Sequence, residues 1–387
     1  MKFLVLGAGQ IGYAVVYDLI RSPRVDKIAL ADCDADHLAF VGERLPDDRL
    51  VPCRIDVNNF DEVANLMSEV DVAISCVTYQ HNYELSKAAL QAGTNFCDLG
   101  GSEEILSRQF LLDELARERN MVIVPGCGLA PGLVSILAAA AAETMEEIYE
   151  IRLRVGDLPT QPQPPLNYAR SFSIDWLINQ YVEEATIIRD GKLMQVPSLS
   201  DLEQIHFPAP FHTLEAFATS GGIATLPQTF SGRVQHLDYK TIRYRGHCEQ
   251  IKLLRDLGLF GLDPVGVDST TVTPRDLMRT LLLQKLPSEE PDVVLLRIIV
   301  TGVKDEKPTQ VVWDAVDYMD QAAGLSAMMR MTAFPASIVA QLIARGDITE
   351  KGVLALEKTV PAALFLAEMA SRGVNLMMVE KVPERRH

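Results

Sequence analysis

Residues 2–20 read KFLVLGAGQIGYAVVYDLI, and this stretch decides the fold of the first part of the chain. An apolar run, three glycines and an amphipathic run follow one another, which predicts a strand that leads directly into a helix. Gly7, Gly9 and Gly12 have the G-x-G-x-x-G spacing. Glycine there permits a tight turn, close approach of the backbone to a pyrophosphate at the helix N-terminus, and close helix packing. The stretch therefore predicts the first unit of a dinucleotide-binding Rossmann domain.

An acidic residue stands where a dinucleotide site requires one. Asp32 ends the second predicted strand, IALADCD, 20 residues beyond Gly12. A carboxylate there accepts hydrogen bonds from the adenosine ribose and repels a 2′-phosphate, so NAD is favoured over NADP. The alternative is a glycine-rich turn beside a solvated aspartate. The predicted cofactor-binding residues, which include Asp56 as a weaker candidate for the adenine pocket, are Gly7, Gly9, Gln10, Ile11, Gly12, Asp32, Asp56, Cys76 and Val77.

Strand and helix patterns alternate along residues 1–125. The stretches KFLVLGA, KIALADC, LVPCRID, VDVAISCV, TNFCDLG and MVIVPG predict strands, with amphipathic segments between them. This alternation predicts right-handed βαβ units and a doubly wound parallel sheet. Residues 126–325 predict a second, α+β domain with a mainly antiparallel sheet, including a hairpin at Asp190 and Gly191. Residues 326–387 return to helical periodicity and fit either domain. The predicted fold class is α/β with a second α+β domain.

Composition limits the classes of function. The chain has 387 residues, of which 48% are hydrophobic and 23% charged, as in folded proteins of two or three domains. A formal charge of −16 disfavours nucleic acids and acidic membrane surfaces, and favours small molecules or copies of the chain as partners. The longest apolar run, residues 136–142, is too short to span a membrane. Six cysteines without C-x-x-C or zinc-like spacing predict free thiols in a cytoplasmic protein without a metal site.

Polar residues follow three strands of the predicted parallel sheet. Ligands of open α/β sheets bind at the carboxyl ends of the strands, so residues at these ends are site candidates. Tyr79 and His81 follow the fourth strand, Asp98 ends the fifth, and Cys127 follows the sixth. These four are the candidate catalytic residues. The structural alternatives are a helix cap or surface position for His81, a helix cap for Asp98 and a buried thiol for Cys127.

The second domain contributes candidates for substrate binding. Arg243 and His247 lie in TIRYRGH, between a predicted strand and a helix. An arginine can bind a carboxylate through two parallel hydrogen bonds, although a surface ion pair is the alternative. Ser171 and Ser173 begin a helix in SFSIDW, where their hydroxyls bind substrate or cap the helix. Neither H-E-x-x-H nor G-x-S-x-G occurs, which favours a dehydrogenase over a metalloenzyme or a hydrolase.

The ordered motifs GAGQIG, CVTYQHN, CDLGG, GCGLAPG, SFSIDW and TIRYRGH resemble those of the saccharopine dehydrogenase family, within it most closely the lysine 6-dehydrogenase branch. The resemblance covers essentially the whole chain. It implies a homo-oligomeric enzyme, a dimer or larger, in which the last helices return to the dinucleotide-binding domain. It also implies that Asp98 and Cys127 lie near the reacting centre, that Tyr79 lies beside the nicotinamide, and that Arg243 anchors a carboxylate.

The resemblance implies a role in lysine degradation. We expect NAD-dependent oxidative deamination of the ε-amino group of L-lysine, with Asp98 as the first choice of base and Tyr79 or His81 as relay. Saccharopine-cleaving members often have an aspartate and a proline where this chain has Ala130 and Arg245, which favours lysine. The alternatives are a non-catalytic NAD-binding sensor and a saccharopine dehydrogenase, whose additional basic groups are then Arg152, Arg154, Arg170 and Arg245.

Overall fold

The structure, a computed structural model, describes residues 1–288 and 290–383, and the chain divides into two compact units. Unit 1 comprises Met1–Glu143, Ile223–Leu226 and Met329–Leu376. Among the described residues, unit 2 comprises Thr144–Gly222, Pro227–Met328 and residues 377–383. The first boundary between these compact units lies after residue 143, whereas the sequence analysis places a domain boundary at residue 125.

Eighteen strands form the sheets of the described residues. In chain order they are β1 (Lys2–Leu6), β2 (Lys27–Asp32), β3 (Leu50–Arg54), β4 (Val72–Ser75), β5 (Asn95–Asp98), β6 (Val122–Val124), β7 (Glu147–Pro159), β8 (Ala185–Arg189), β9 (Lys192–Val196), β10 (Glu203–Phe207), β11 (His212–Ala218), β12 (His236–Arg243), β13 (Val265–Val267), β14 (Thr270–Val272), β15 (Asp292–Lys304), β16 (Lys307–Tyr318), β17 (Gly352–Val353) and β18 (Met377–Lys381).

Fourteen α-helices accompany them in the described residues. They are α1 (Gln10–Leu19), α2 (Ala35–Arg44), α3 (Phe60–Met67), α4 (Asn82–Ala92), α5 (Glu103–Phe110), α6 (Asp113–Glu118), α7 (Leu133–Ala142), α8 (Ile174–Val182), α9 (Leu226–Phe230), α10 (His247–Asp256), α11 (Pro274–Lys285), α12 (Ala327–Arg345), α13 (Leu356–Thr359) and α14 (Ala362–Ser371). A 3₁₀ turn at Tyr79–His81 precedes α4.

Unit 1 contains the predicted parallel sheet. Its seven strands have the order β17-β6-β5-β4-β1-β2-β3, and every pair in it is parallel. Strand β1 is fully apolar from Phe3 to Leu6 and is buried there, as expected of a strand covered by helices on both faces. The α/β prediction with a doubly wound sheet is confirmed. Helix α7, in which nine of ten residues are buried, packs against α13 and α14, which explains why unit 1 extends beyond β6.

Unit 2 contains a nine-stranded sheet. Its main path has the order β10-β11-β12-β7-β15-β16-β18, and β8 and β9 attach beside β12. All pairs along it are antiparallel except β12 with β7, which is parallel. The prediction of a mainly antiparallel sheet is therefore confirmed. The predicted hairpin joins β8 to β9, and Asp190 and Gly191 have the positive φ angles of a type I′ turn, 51° and 72°.

The C-terminal part of the chain differs from the prediction of helices alone over residues 326–387. Residues Met329–Leu376 belong to unit 1 and include most of α12, α13 and α14, but also β17, which adds the seventh strand to the parallel sheet. After them, β18 pairs antiparallel with β16 in unit 2. The predicted helices end at Ser371, and residues 384–387 lie outside the described residues.

One helix of the described residues is long and apolar enough to cross a membrane by length and composition alone. This is α12, with 19 residues, and 89% of its most apolar window is buried inside the protein. Burial of this extent is what a core helix of a folded domain shows.

Candidate active site

The glycine loop between β1 and α1 is closed by backbone contacts. The amide of Gly7 donates to the carbonyl of Ala31 at 2.7 Å. A β-carbon on Gly12 would lie 1.8 Å from the carbonyl oxygen of Gly7, and one on Gly7 would lie 3.0 Å from the carbonyl of Cys76. Gly9 differs, because a β-carbon there would meet no described atom within 4 Å. The loop is thus packed from inside at two glycines and open at the third.

Asp32 is hydrogen-bonded to this loop. Its carboxylate accepts from the amide of Ala8 at 2.6 Å and from the amide of Asp34 at 2.8 Å. No described side chain caps the N-terminus of α1, so its first-turn N–H groups remain for an anion. An open glycine, an uncapped helix N-terminus and an acidic strand end fit a dinucleotide. The structure therefore brings together the predicted residues from Gly7 to Gly12 and Asp32.

Asp56 does not join this group. Its side chain is exposed and accepts from the backbone amide and the side-chain amide of Asn58, each at 2.9 Å, as in a local turn. The predicted role in the adenine pocket gains no support from these contacts.

The end of β4 lies against the glycine loop and the end of β5. Cys76 donates its backbone amide to Leu6 at 2.7 Å. A β-carbon on Gly101 would lie 3.0 Å from the side chain of Tyr79, so the tyrosine covers a position where only glycine fits. His81 is partly buried and precedes α4 without a side-chain cap. Tyr79 and His81 therefore stay candidates for groups that meet a ligand at the strand ends.

Asp98 is fully buried, with 0% of its surface exposed. One carboxylate oxygen accepts from the amides of Gly100 at 2.7 Å and Gly126 at 3.0 Å, and the other accepts from Gln109 at 2.6 Å. Burial raises the pKa of this carboxyl, against the effect of these hydrogen bonds. A carboxylate with no exposed surface and three internal donors holds the loops after β5 and β6. This geometry does not support Asp98 as the base that contacts the substrate amine.

Cys127 is buried beside Asp98. Its amide donates to the carbonyl of Asp98 at 2.7 Å, and its thiol to the carbonyl of Val124 at 3.2 Å. Burial and the neighbouring Cys97 raise the pKa of the thiol well above its usual range. These contacts are those of the buried thiol that the sequence analysis gave as the structural alternative. Gln109 was missed from the sequence, since one glutamine on an amphipathic helix carries no signal of a buried partner.

A second polar cluster lies in unit 2 around Arg243, which is 2% exposed. Its guanidinium carbon lies 4.8 Å from the ring centre of Tyr168, and its Nε donates to the Tyr181 hydroxyl at 3.3 Å. The Nη1 group donates to the carbonyl of Ile242 at 3.0 Å and, at 3.5 Å, to that of Asp157. Within the described residues, Nη2 donates to no atom of the protein.

His247 is a neutral member of this cluster. Its Nδ1 lies 3.0 Å from the carbonyl of Leu166, which can only accept, so Nδ1 carries the proton. Nε2 then accepts from the Tyr181 hydroxyl at 2.9 Å. Burial and the charge of Arg243 lower the pKa of His247 to about 3. His247 therefore orients Tyr181 and adds no charge.

Asp157 completes the cluster and was missed in the sequence, because it lies in β7 outside the quoted motifs. The residue is 6% exposed, and one of its carboxylate oxygens accepts a hydrogen bond from Ser171. Burial and the negative charge of Asp292 raise the pKa of Asp157 to about 7, while Ser171 and Arg243 act to lower it. The structure thus brings together predicted residues Arg243, His247 and Ser171.

Other predicted residues lie apart from this cluster. Ser173 is exposed at the start of α8 and makes no side-chain cap. Arg154 is paired with Glu203 and Asp238 in a separate cavity of about 430 Å³, which Arg152 also lines. Both arginines are thus paired with carboxylates of the protein, since Arg152 also pairs with Glu150. Among the described residues, no group of three or more His, Cys, Asp or Glu is placed to hold a metal ion.

Comparisons with known proteins match two family models along the chain. Residues 3–124 match the family model described as the saccharopine dehydrogenase NADP binding domain, and residues 128–374 match the saccharopine dehydrogenase C-terminal domain. A saccharopine dehydrogenase [NADP(+), L-glutamate-forming] of Schizosaccharomyces pombe is 21% identical over 268 residues. That alignment covers 66% of this chain and 58% of the relative.

Two solved structures are similar in fold. The apo saccharopine dehydrogenase (L-Glu forming) of Saccharomyces cerevisiae has a TM-score of 0.80 at 17% identity, covering 98% of this chain and all of that one. The homospermidine synthase of Legionella pneumophila, in complex with NAD, has a TM-score of 0.64 at 12% identity, covering 98% of this chain and 91% of that one. At these identities the likeness concerns the fold.

Proposed function

The chain belongs to the saccharopine dehydrogenase family, and from this membership we propose that it is a nicotinamide-dependent dehydrogenase of an amino-acid amine. The proposed substrate is L-lysine, oxidised at the carbon that bears the ε-amine. With water and oxidised cofactor, the products are the 6-semialdehyde, ammonia and reduced cofactor. The semialdehyde then cyclises with the α-amine and loses water to give 1-piperideine-6-carboxylate.

The observation that carries the proposal is the environment of Arg243. Arg243 is 2% exposed, and its Nη2 group has no partner among the described residues, so this group is available to a ligand that supplies an acceptor. A carboxylate supplies it with two oxygens in the geometry that arginine prefers. The stacked ring of Tyr168 and the bonds to Tyr181 and Ile242 fix the orientation of the guanidinium. We assign Arg243 to the α-carboxylate of the substrate.

The glycine loop and Asp32 would hold the dinucleotide. The backbone near Gly9 and the N-terminus of α1 would receive the pyrophosphate, and Asp32 would accept hydrogen bonds from the adenosine ribose. The bound cofactor would supply a hydride acceptor for the carbon that carries the amine. The residues of this chain must then remove a proton from the substrate ammonium, whose ordinary pKa is about 10.4.

We assign this proton to Tyr79 or His81. Both lie at the carboxyl end of β4, where ligands of parallel sheets bind, and both keep exposed surface. In this proposal Asp98 does not contact the substrate. Its carboxylate accepts hydrogen bonds from the amides of Gly100 and Gly126 and so fixes the loops after β5 and β6, which makes it a positioning residue.

We propose NAD rather than NADP as the cofactor. The Asp32 carboxylate lies at the end of β2, where a 2′-phosphate would place like charge beside it. The matching family model and the S. pombe relative carry NADP in their names, so the two cofactors need direct comparison. We expect kcat/KM with NAD to exceed that with NADP at least about tenfold. Equal use of both cofactors would remove this role from Asp32.

The test follows the absorbance of reduced nicotinamide with purified protein and oxidised cofactor. L-lysine, saccharopine and a blank without amine are compared at the same pH. Turnover with L-lysine supports the proposal, and turnover only with saccharopine refutes it. The name of the S. pombe relative makes saccharopine the second candidate. Cofactor binding without turnover of either amine would favour a non-catalytic protein.

A further inference from the structure

We propose that Asp157 binds the α-ammonium group of the substrate beside Arg243, so that this pair recognises the zwitterionic head of an α-amino acid. The inference rests on the proposed function for its assumption that the substrate is an amino acid. It assigns a residue to a second charged group of that substrate, the α-ammonium. A diamine without a carboxylate, or an acid without an α-amine, should therefore bind poorly.

Strand register places the two residues side by side. Strands β7 and β12 are parallel neighbours, with Val155 opposite Thr241, so Asp157 and Arg243 each lie two residues further along. The strands approach closely here, since a β-carbon on Gly156 would lie 2.7 Å from the β-carbon of Ile242. The backbone carbonyl of Asp157 accepts a hydrogen bond from Arg243 Nη1 at 3.5 Å.

Both side chains keep unused hydrogen-bonding capacity. Ser171 donates to Asp157 Oδ2, whereas Oδ1 accepts from no donor among the described residues. Arg243 Nη2 likewise has no acceptor there. No ion pair joins the guanidinium to the Asp157 carboxylate within the described part of the chain. Asp157 and Arg243 are not paired with one another, and each keeps one polar atom without a partner among the described residues, so together they suit a ligand that carries both complementary charges.

The surroundings favour a cation near Asp157. Asp292 adds a second negative charge, although its own oxygens accept from the amides of Ala327 at 2.7 Å and Met328 at 2.9 Å. His247 is neutral and is bonded to Tyr181, so it supplies no competing cation. An α-ammonium group donates three hydrogen bonds from a compact charge, which suits a single free carboxylate oxygen.

The experiment measures calorimetric binding of three unreactive ligands to the full chain. L-norleucine has the amino-acid head of lysine without the distal amine, hexanoate lacks the α-amine, and pentylamine lacks the carboxylate. We expect wild-type protein to bind L-norleucine at least about tenfold more tightly than either of the others. Equal affinity for L-norleucine and hexanoate would overturn the proposal without any variant.

Variants then assign the effect to Asp157. Asp157→Asn should weaken L-norleucine at least about tenfold and leave hexanoate unchanged, because only the ammonium contact is lost. Asp190→Asn makes the same chemical change in the exposed β8–β9 turn and should alter neither affinity. An equal loss for both ligands in Asp157→Asn would mean a general structural effect and would contradict the proposal.

Turnover separates this inference from the proposed function. L-norleucine cannot be oxidised at a distal amine, so its binding reports the head site even if L-lysine is not a substrate. If L-lysine is turned over, Asp157→Asn should raise its KM and leave kcat within about twofold. A large fall of kcat with both L-lysine and 6-aminohexanoate would instead make Asp157 the proton acceptor and overturn its assignment to the head.

Discussion

At the scale of one residue, the burial of Asp98 distinguishes a residue that positions the site from one that takes part in the chemistry. Removal of its carboxylate would leave three donors, from Gly100, Gly126 and Gln109, without an acceptor. Each buried unsatisfied group costs about 1–3 kcal/mol. We therefore expect Asp98→Ala to lower the free energy of unfolding in urea by about 3–5 kcal/mol, and Asp98→Asn, which retains one acceptor oxygen, by less.

Gln109→Ala is the control for this prediction. It removes one of the three donors, so it should cost less than Asp98→Ala. If Asp98→Asn instead keeps full stability and abolishes turnover, the buried carboxyl takes part in the chemistry and its positioning role is wrong.

Asp157 gives a prediction about pH. Burial and Asp292 raise its pKa from 3.8 to about 7, against Ser171 and Arg243, and the phenols of Tyr168 and Tyr181 also interact with it. The folded protein therefore holds this proton more tightly than the unfolded chain. The resulting stabilisation is present below pH 4 and is lost as the pH rises to 7.

With an uncharged side chain at residue 157, the unfolding free energy should lack this dependence on pH. Relative to wild type, Asp157→Asn should gain up to about 4 kcal/mol in unfolding free energy between pH 4 and pH 8. Urea unfolding across that range measures the difference, with Asp190→Asn, the same chemical change in an exposed turn, as the control. A difference that is flat with pH would mean that the Asp157 carboxyl has an ordinary pKa.

In the glycine loop there is room for a side chain at Gly9 but not at Gly7 or Gly12. Gly9 has φ near −70° and open space around it, so alanine fits the folded backbone there. Its methyl group would occupy the space through which a pyrophosphate approaches the loop. We expect Gly9→Ala to change unfolding free energy by less than about 1 kcal/mol and to raise the KM for NAD at least about tenfold.

Gly42→Ala is the matched control variant for Gly9→Ala. It lies within α2, also in open space, and should add about 0.5–1 kcal/mol of stability without affecting NAD. An unchanged KM for NAD in Gly9→Ala would show that the dinucleotide does not approach this loop.

Local sequence patterns predicted the strands and turns better than they predicted which distant strands pair with one another. Glycine spacing, strand runs and the Asp190-Gly191 turn each depend on neighbours in the chain, and the structure has the strands and the hairpin that they predict. The parallel pairing of β7 with β12 and the addition of β18 to β16 join distant segments, which no local periodicity encodes. The same distinction between local patterns and distant contacts explains which residues of the candidate site were predicted. Arg243 stood in a sequence motif, whereas Asp157 stood in none and is placed beside Arg243 by the pairing of β7 with β12.

At the scale of the whole molecule, unit 1 is assembled from segments that lie far apart in the chain. Asp18 of α1 is buried and accepts hydrogen bonds from Ser337 of α12 at 2.6 Å and from Arg372, just after α14, at 2.6 Å. This ion pair therefore joins the C-terminal segment to the first helix of the dinucleotide fold. Breaking a buried pair by removing one partner costs about 3–5 kcal/mol, because the other charge stays buried.

We expect Asp18→Ala and Arg372→Ala each to lower the unfolding free energy of unit 1 by about 3–5 kcal/mol, and the double variant to cost clearly less than their sum. Urea unfolding followed by circular dichroism supplies the double-mutant cycle. Glu84→Ala, which removes an exposed pair with Lys87, should cost less than about 1 kcal/mol. Additive losses at Asp18 and Arg372 would mean that the two side chains act independently. The C-terminal segment would then be held by its apolar contacts, such as the fully buried Phe365 and Met369 of α14.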